Sequence, residues 1–159
     1  MLAFLFTLAG CGGGGEDTEG TNAPAAAPRV DLCALLTADE IEGALGERPG
    51  AATPGEEALG QCTWAATEGD DPLVVLTLER AVLSSFDDFV AAFGEEFGGE
   101  DPPRDQFHPV DGVGDWAMFL ADDHMVRAFR GDRVLELSAP GAEEARIVEL
   151  AKIAMGRLP

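Results

Sequence analysis

The segment from Trp116 to Ser138 constrains the fold most, because three strand-like runs follow one another with only tight turns between them. Polar turn residues, Asp122-Asp123 and Gly131-Asp132, separate the runs Trp116–Ala121, Met125–Phe129 and Arg133–Ser138. Strands joined by such short connections pair with their neighbours in antiparallel fashion. The chain is therefore predicted to contain an antiparallel sheet built around this meander.

Helical and strand patterns flank the meander on both sides. Thr37 and Glu40 have the spacing of a capping box, which predicts a helix that ends at Gly46. Strands are predicted at Gly60–Thr67 and Leu73–Leu78, with an extra strand near Phe107 as an option. A second helix is predicted from Ser85 and a third after Pro140-Gly141, each with apolar residues at helical spacing: Phe86, Phe89, Val90, Phe93 and Phe97, then Ile147, Leu150, Ala151, Ala154 and Leu158.

The resulting order, α-β-β-α-β-β-β-α, predicts one α+β domain. We expect a single antiparallel sheet of about five strands, packed with about three helices that cover one side of it. A length of 159 residues suffices for one domain with an appendage.

Charge excludes one class of partner. The chain has 30 acidic and 10 basic side chains, for a formal net charge of −20. Nucleic-acid binding is not expected, because neutralising phosphates needs clustered Lys and Arg. The same negative charge argues against electrostatic binding to anionic lipid. A hydrophobic content of 46% excludes a wholly disordered chain.

The first 29 residues differ in composition from the rest. Residues 1–10 form an uncharged apolar run that ends in Leu8-Ala9-Gly10-Cys11 and resembles the bacterial lipoprotein signal peptide. The resemblance implies cleavage before Cys11 and acylation of its thiol, giving a palmitate-type lipid anchor. Residues 11–29 read as a Gly-, Ala- and Pro-rich tether, and residues 30–159 as the globular domain. No basic residue precedes Arg29, so we expect a few further residues upstream of Met1.

Two cysteines remain once Cys11 is assigned to lipid. An even pair in an exported domain predicts a disulfide between Cys33 and Cys62. The alternative is a nucleophile or a metal ligand, although neither cysteine has a histidine near it in the sequence.

Signals for catalysis are weak. The two histidines, His108 and His124, lie on different segments without the spacing of a zinc site, and the acidic doublets are scattered along the chain. Gly112–Ala117 formally matches a dinucleotide-binding fingerprint, but a strand pattern follows it where that motif needs a helix. No catalytic residue, metal site or cofactor is therefore predicted.

Aromatic residues are the best candidates for a ligand pocket. The helix that carries Phe86, Phe89 and Phe93, together with a sheet face carrying Trp64 or Trp116, could line one. The alternative is that these side chains form ordinary core.

The chain resembles an uncharacterised, actinobacterial-type lipoprotein family, domain of unknown function 3558. The resemblance covers nearly all of residues 30–159 and rests on six blocks: Asp31-Leu-Cys-Ala-Leu-Leu-Thr-Ala-Asp-Glu40, Leu45-Gly46, Gln61-Cys-Thr-Trp64, Val110-Asp-Gly-Val-Gly-Asp115, Arg130-Gly131-Asp132 and Leu150-Ala-Lys…Arg157-Leu158. It implies an exported domain with Cys33 and Cys62 as paired half-cystines, and it transfers no catalytic residue. Some related lipoproteins look like PsbP-type α/β sandwiches.

These observations predict a non-catalytic module that binds a ligand or a protein and is anchored by lipid on Cys11 to the outer face of the cell membrane. Its partner could be a protein, a lipid or a cell-wall component. An exported hydrolase or metal-dependent enzyme that uses Asp/Glu with His108 or His124 is one alternative. A structural envelope protein is another.

Overall fold

A computed structural model describes residues 30–55, 60–69, 71–96 and 106–159. The predicted signal peptide, Cys11 and the tether lie outside the described residues. In chain order, the elements are a 3₁₀ turn (Leu32–Ala34), α1 (Ala38–Leu45), β1 (Pro49–Pro54), β2 (Gln61–Ala66), β3 (Pro72–Arg80), α2 (Phe86–Glu96), β4 (Phe107–Pro109), β5 (Trp116–Leu120), β6 (Met125–Arg130), β7 (Arg133–Ser138) and α3 (Glu144–Arg157).

The seven strands of the described residues form one antiparallel sheet in the order β1-β2-β3-β7-β6-β5-β4. The α+β class, the antiparallel sheet, the three helices and the meander of β5, β6 and β7 are confirmed. The expected number of about five strands is wrong. The extra strand near Phe107 is present as β4, which pairs with β5. β1 was not expected, since its sequence Pro-Gly-Ala-Ala-Thr-Pro contains few residues that favour strands.

We call the side of the sheet that carries most of the core the first face. It is covered by α1, α3 and the 3₁₀ turn. Alternate residues of the strands point to this face and meet the apolar side of α3. Its fully buried side chains include Trp64, Val74, Leu76, Val126, Leu135, Leu137, Ile147 and Leu150.

The second face, opposite the first, carries a smaller core beneath α2. Phe86 and Phe89 of α2 pack with the buried side chains of Met118, Leu120 and Phe129. The expectation that the helices cover one side only is therefore wrong. The physical reason is that β5 is apolar at every position, so both of its faces must be covered.

Local signals at α1 are as predicted. Thr37 and Glu40 form a capping box, in which the Glu40 N–H donates to Thr37 Oγ1 at 3.3 Å and the Thr37 N–H donates to Glu40 Oε2 at 2.9 Å. The helix ends at Gly46, which adopts a left-handed conformation with φ 77°.

The predicted disulfide is present. Cys33 in the 3₁₀ turn is bonded to Cys62 in β2, with a Cα–Cα distance of 5.3 Å. Because Cys62 is fully buried on the first face, the bond fastens the start of the domain to its core. Among the helices that the structure describes, none has the length and apolar character needed to cross a membrane.

Candidate ligand-binding cleft

A cleft of about 470 Å³ opens where the C-terminal end of α1 meets the N-terminal end of α3. Clefts of roughly 300–1,000 Å³ are the usual size of small-molecule sites. Its lining comes from three stretches of the chain: Gly43, Ala44, Leu45, Gly46 and Glu47; Leu73; and Pro140, Gly141, Ala142, Glu143 and Arg146.

The shape of the cleft follows from two chain reversals. Gly46 ends α1 in a left-handed conformation, and Gly141 has φ 78° in the turn that precedes α3. Such backbone angles suit glycine because it has no Cβ. The two turns bring small residues to the rim, so space remains between the helix ends. Leu45, Leu73 and Ala142, which pack against the first-face core, supply the apolar part of the lining.

Polar groups stand around the rim. The Glu143 side chain makes no capping hydrogen bond to α3, although it occupies the N-cap position. The first backbone N–H groups of a helix have no partner within the helix and lie at the positive end of its dipole. With the exposed Arg146 guanidinium and the Glu47 and Glu143 carboxylates, the rim can offer donors and acceptors to one small polar molecule.

Both histidines contact the segment that leads into α3, although they are far apart in sequence. His108 Nε2 lies 2.9 Å from Glu144 Oε1, and His124 Nδ1 lies 3.1 Å from the carbonyl oxygen of Ala142. Their rings thus help to hold the start of α3, next to the cleft. Across the described stretches, no group of three or more His, Cys, Asp or Glu residues could hold a metal ion.

The aromatic residues predicted to line a pocket are divided by the sheet. Trp64 is 2% exposed and belongs to the first-face core, so it does not meet the others. Phe86, Phe89 and Trp116 all belong to the second-face cluster.

Within that second-face cluster, the rings pack against one another. The ring centroid of Phe89 lies 5.7 Å from that of Phe86, 6.1 Å from that of Phe93 and 5.6 Å from that of Phe107. Trp116 stacks on Phe129 with centroids 3.7 Å apart and an interplanar angle of 7°. The contacts of Phe89 have the spacing that is usual for tilted aromatic pairs, whereas Trp116 and Phe129 form a closer, face-to-face stack.

A smaller cleft, of about 130 Å³, adjoins this cluster on the second face. Leu83, Phe129 and Val134 supply apolar lining. Arg127 and Glu136 stand opposite each other on neighbouring strands and form an ion pair of 2.5 Å beside them. This pairing neutralises both charges, whereas Arg80, which also lines the cleft, forms no ion pair with a described carboxylate.

The glycine pattern at Gly112–Ala117 forms a tight turn before a strand, as its context indicated. Gly112 and Gly114 have positive φ values of 74° and 64°, and β5 begins at Trp116. A Cβ on Gly114 would overlap the carbonyl oxygen of Phe129, so the turn lies directly against β6.

Sequence reasoning did not identify the larger cleft. Its lining is dominated by small residues and backbone, which carry no recognisable chemical motif. The available signal was the placement of Gly46 and Pro140-Gly141 at predicted helix boundaries, but nothing in the sequence brings those two boundaries together.

The chain was compared with known protein families and with curated proteins, and it matches no family model and no curated protein.

Proposed function

We propose that this protein is an extracytoplasmic lipoprotein, anchored to the membrane through Cys11, that binds a small polar molecule without catalysis. The observation that carries the proposal is the cleft of about 470 Å³ between α1 and α3. Its lining is more polar than apolar, with Leu45, Leu73 and Ala142 as the apolar part, and this character suits a small polar ligand.

The chemistry of the rim indicates the kind of ligand. Arg146 and the N-terminal end of α3 favour a negatively charged or strongly accepting group. Glu47 and Glu143 favour a donor on another part of the same molecule. A small molecule with both kinds of group, such as an amino-acid-like or sugar-acid-like compound, fits this combination.

The anchoring part of the proposal is supported by sequence. Leu8-Ala9-Gly10-Cys11 has the order of a lipoprotein cleavage site, and residues 12–29 provide a tether. The Cys33–Cys62 disulfide agrees with an oxidising compartment, where such bonds persist. We further propose a PsbP-like sandwich for the domain, supported by helices packed on both faces of an antiparallel sheet.

The ligand proposal is tested by native mass spectrometry of the full chain, purified gently from a bacterial host that exports it. We expect extra mass that disappears on denaturation. Gly43 lines the cleft and has nothing within 4 Å of the position of a Cβ, so Gly43→Trp should fill the space and abolish the extra mass.

Gly156 provides the matched control. It is also a helical glycine with open space around it, but it is absent from the lining of the cleft, so Gly156→Trp should retain the extra mass. A bare polypeptide mass for the unaltered chain, or extra mass that survives Gly43→Trp, would count against the proposal. The anchor is tested separately: Cys11→Ser should release the chain from the membrane fraction and end its labelling with palmitate.

A further inference from the structure

Three arginines stand side by side across the sheet. Arg133 on β7 lies directly opposite Arg80 on β3 and directly opposite Arg130 on β6. Residues opposite each other in antiparallel strands share a face, with Cβ atoms about 4.5–5.5 Å apart. Arg130 Nη1 donates to the carbonyl oxygen of Leu158, so this end of the row lies at the C-terminal end of α3, while Arg80 at the other end of the row also lines the smaller cleft. We call Arg80, Arg133 and Arg130 the arginine row.

Among the described residues, the arginine row has no acidic partner. The chain has 30 acidic side chains against 10 basic ones, yet no described carboxylate forms an ion pair with any member of the row. By contrast, Arg48, Arg127 and Arg157 each have a carboxylate partner.

One member of the row also has an unsatisfied donor. Arg133 Nη1 is buried and has no hydrogen-bond partner in the part of the chain that the structure describes. A buried donor without a partner costs free energy, as do like charges placed directly opposite each other on neighbouring strands. Both costs would be relieved by an anion that accepts hydrogen bonds from the row.

We propose that the arginine row binds a phosphate group, either as free phosphate or as the phosphate of an anionic lipid head group. A guanidinium presents its N–H donors in a planar fork that matches the oxygens of phosphate. A tetrahedral phosphate dianion can accept hydrogen bonds from more than one of the three guanidinium groups, whereas one guanidinium is enough to pair with a carboxylate. This site lies at the opposite end of α3 from the cleft and goes beyond the proposed function.

The first test is thermal unfolding of the full chain in sodium phosphate and in sodium chloride of equal ionic strength, near neutral pH. We expect phosphate to raise the Tm by about 4 °C at roughly ten times its Kd. Arg133→Gln should weaken the apparent affinity roughly tenfold or more, since it removes charge-assisted hydrogen bonds. Arg80 is exposed, so Arg80→Gln is a second variant that should fold normally and show the same weakening.

Arg48→Gln is the control, because Arg48 is exposed and pairs with Asp39 and Glu42 on a different part of the surface. It should leave the effect of phosphate unchanged. Equal Tm values in phosphate and chloride, together with the absence of binding to anionic vesicles, would overturn the proposal. A phosphate effect that survives both Arg133→Gln and Arg80→Gln would overturn it as well.

Vesicles distinguish the two sources of phosphate. The full chain carrying Cys11→Ser, which removes the proposed anchor, is sedimented with vesicles of phosphatidylglycerol or of phosphatidylcholine. Binding to phosphatidylglycerol alone, competed by free phosphate and lost in Arg80→Gln, would assign a lipid head group. A phosphate-dependent rise in Tm without vesicle binding would assign free phosphate or a soluble phosphate ester.

Discussion

Glu40 joins α1 to the end of α3, and Glu40→Gln is expected to lower the free energy of unfolding by about 1.5 kcal/mol at neutral pH. Arg157 donates from Nη2 to Glu40 Oε1 at 2.5 Å and from Nη1 to Glu40 Oε2 at 2.8 Å. Arg157 Nη1 also donates to the carbonyl oxygen of Leu35 at 3.0 Å. A bidentate pair of this kind is the strongest form of an Arg–carboxylate contact.

The magnitude follows from the pKa of the Glu40 carboxyl, which is lowered from 4.5 to about 2. The hydrogen bonds from Arg157 are the main cause; desolvation opposes them, and those from Thr37 add to them. At about 1.36 kcal/mol for each unit of pKa, the upper bound is about 3.4 kcal/mol. The Arg157 side chain is 42% exposed and that of Glu40 is 26% exposed, so solvent screening reduces this to about 1.5 kcal/mol.

The sign of the pH dependence is set by the lowered pKa. The stabilisation is fully present above the unfolded pKa of 4.5 and is lost as the pH falls toward about 2. Denaturant titrations of the unaltered chain and of Glu40→Gln at about pH 7, 3.5 and 2.5 should therefore show a difference that shrinks toward zero. Gln keeps an acceptor for the Thr37 N–H, so the capping box is preserved and the ion pair alone is tested.

Glu42 gives the matched control on the same helix. It pairs with Arg48 at 2.6 Å, but the side chains are 44% and 61% exposed, so Glu42→Gln should cost about 0.5 kcal/mol or less. Equal losses for the two variants would contradict the larger stabilisation assigned to the Glu40–Arg157 pair. So would a difference between the unaltered chain and Glu40→Gln that stays constant from about pH 6 to about pH 2.5.

Two further predictions concern the disulfide and the turn before β5. Replacing Cys33 and Cys62 by Ala should lower the free energy of unfolding in urea by about 3.6 kcal/mol, because the bond closes a loop with a sequence separation of 29; a loss below about 1 kcal/mol would contradict this. Gly114→Ala should lower the free energy of unfolding by about 3 kcal/mol or more, because the added Cβ would overlap the carbonyl oxygen of Phe129. Gly131→Ala is the control: Gly131 also has a positive φ of 57° but has open space around it, so this variant should lose only about 1 kcal/mol. Similar melting temperatures for the two variants would contradict the prediction.

Elements whose signals are local could be predicted from the sequence. The capping box of Thr37 and Glu40, the paired cysteines and the turns at Asp122-Asp123 and Gly131-Asp132 each depend on residues that are close together or few in number. The structure contains all of them. Their physical basis, namely side-chain to backbone hydrogen bonds, cross-linking and tight antiparallel turns, needs little tertiary context.

Features that depend on pairing between distant segments could not be predicted. β1 forms because β2 offers it backbone partners, with Ala52 opposite Trp64, although its own residues favour a strand only weakly. α2 packs on the second face because Met118 and Leu120 are apolar on that side. The arginine row exists only once β3 pairs with β7, a neighbour relation between strands that are far apart in sequence.

The two helices of the first face connect these features. α1 and α3 pack against each other, with the Glu40–Arg157 pair near the start of α1 and the end of α3. The cleft lies at their other ends, between Gly46 and Glu143. The ion pair therefore joins the two helices at the end away from the cleft, in addition to their apolar packing. α3 has 14 residues, about 21 Å at 1.5 Å per residue, so the cleft and the arginine row are far enough apart to bind their ligands independently.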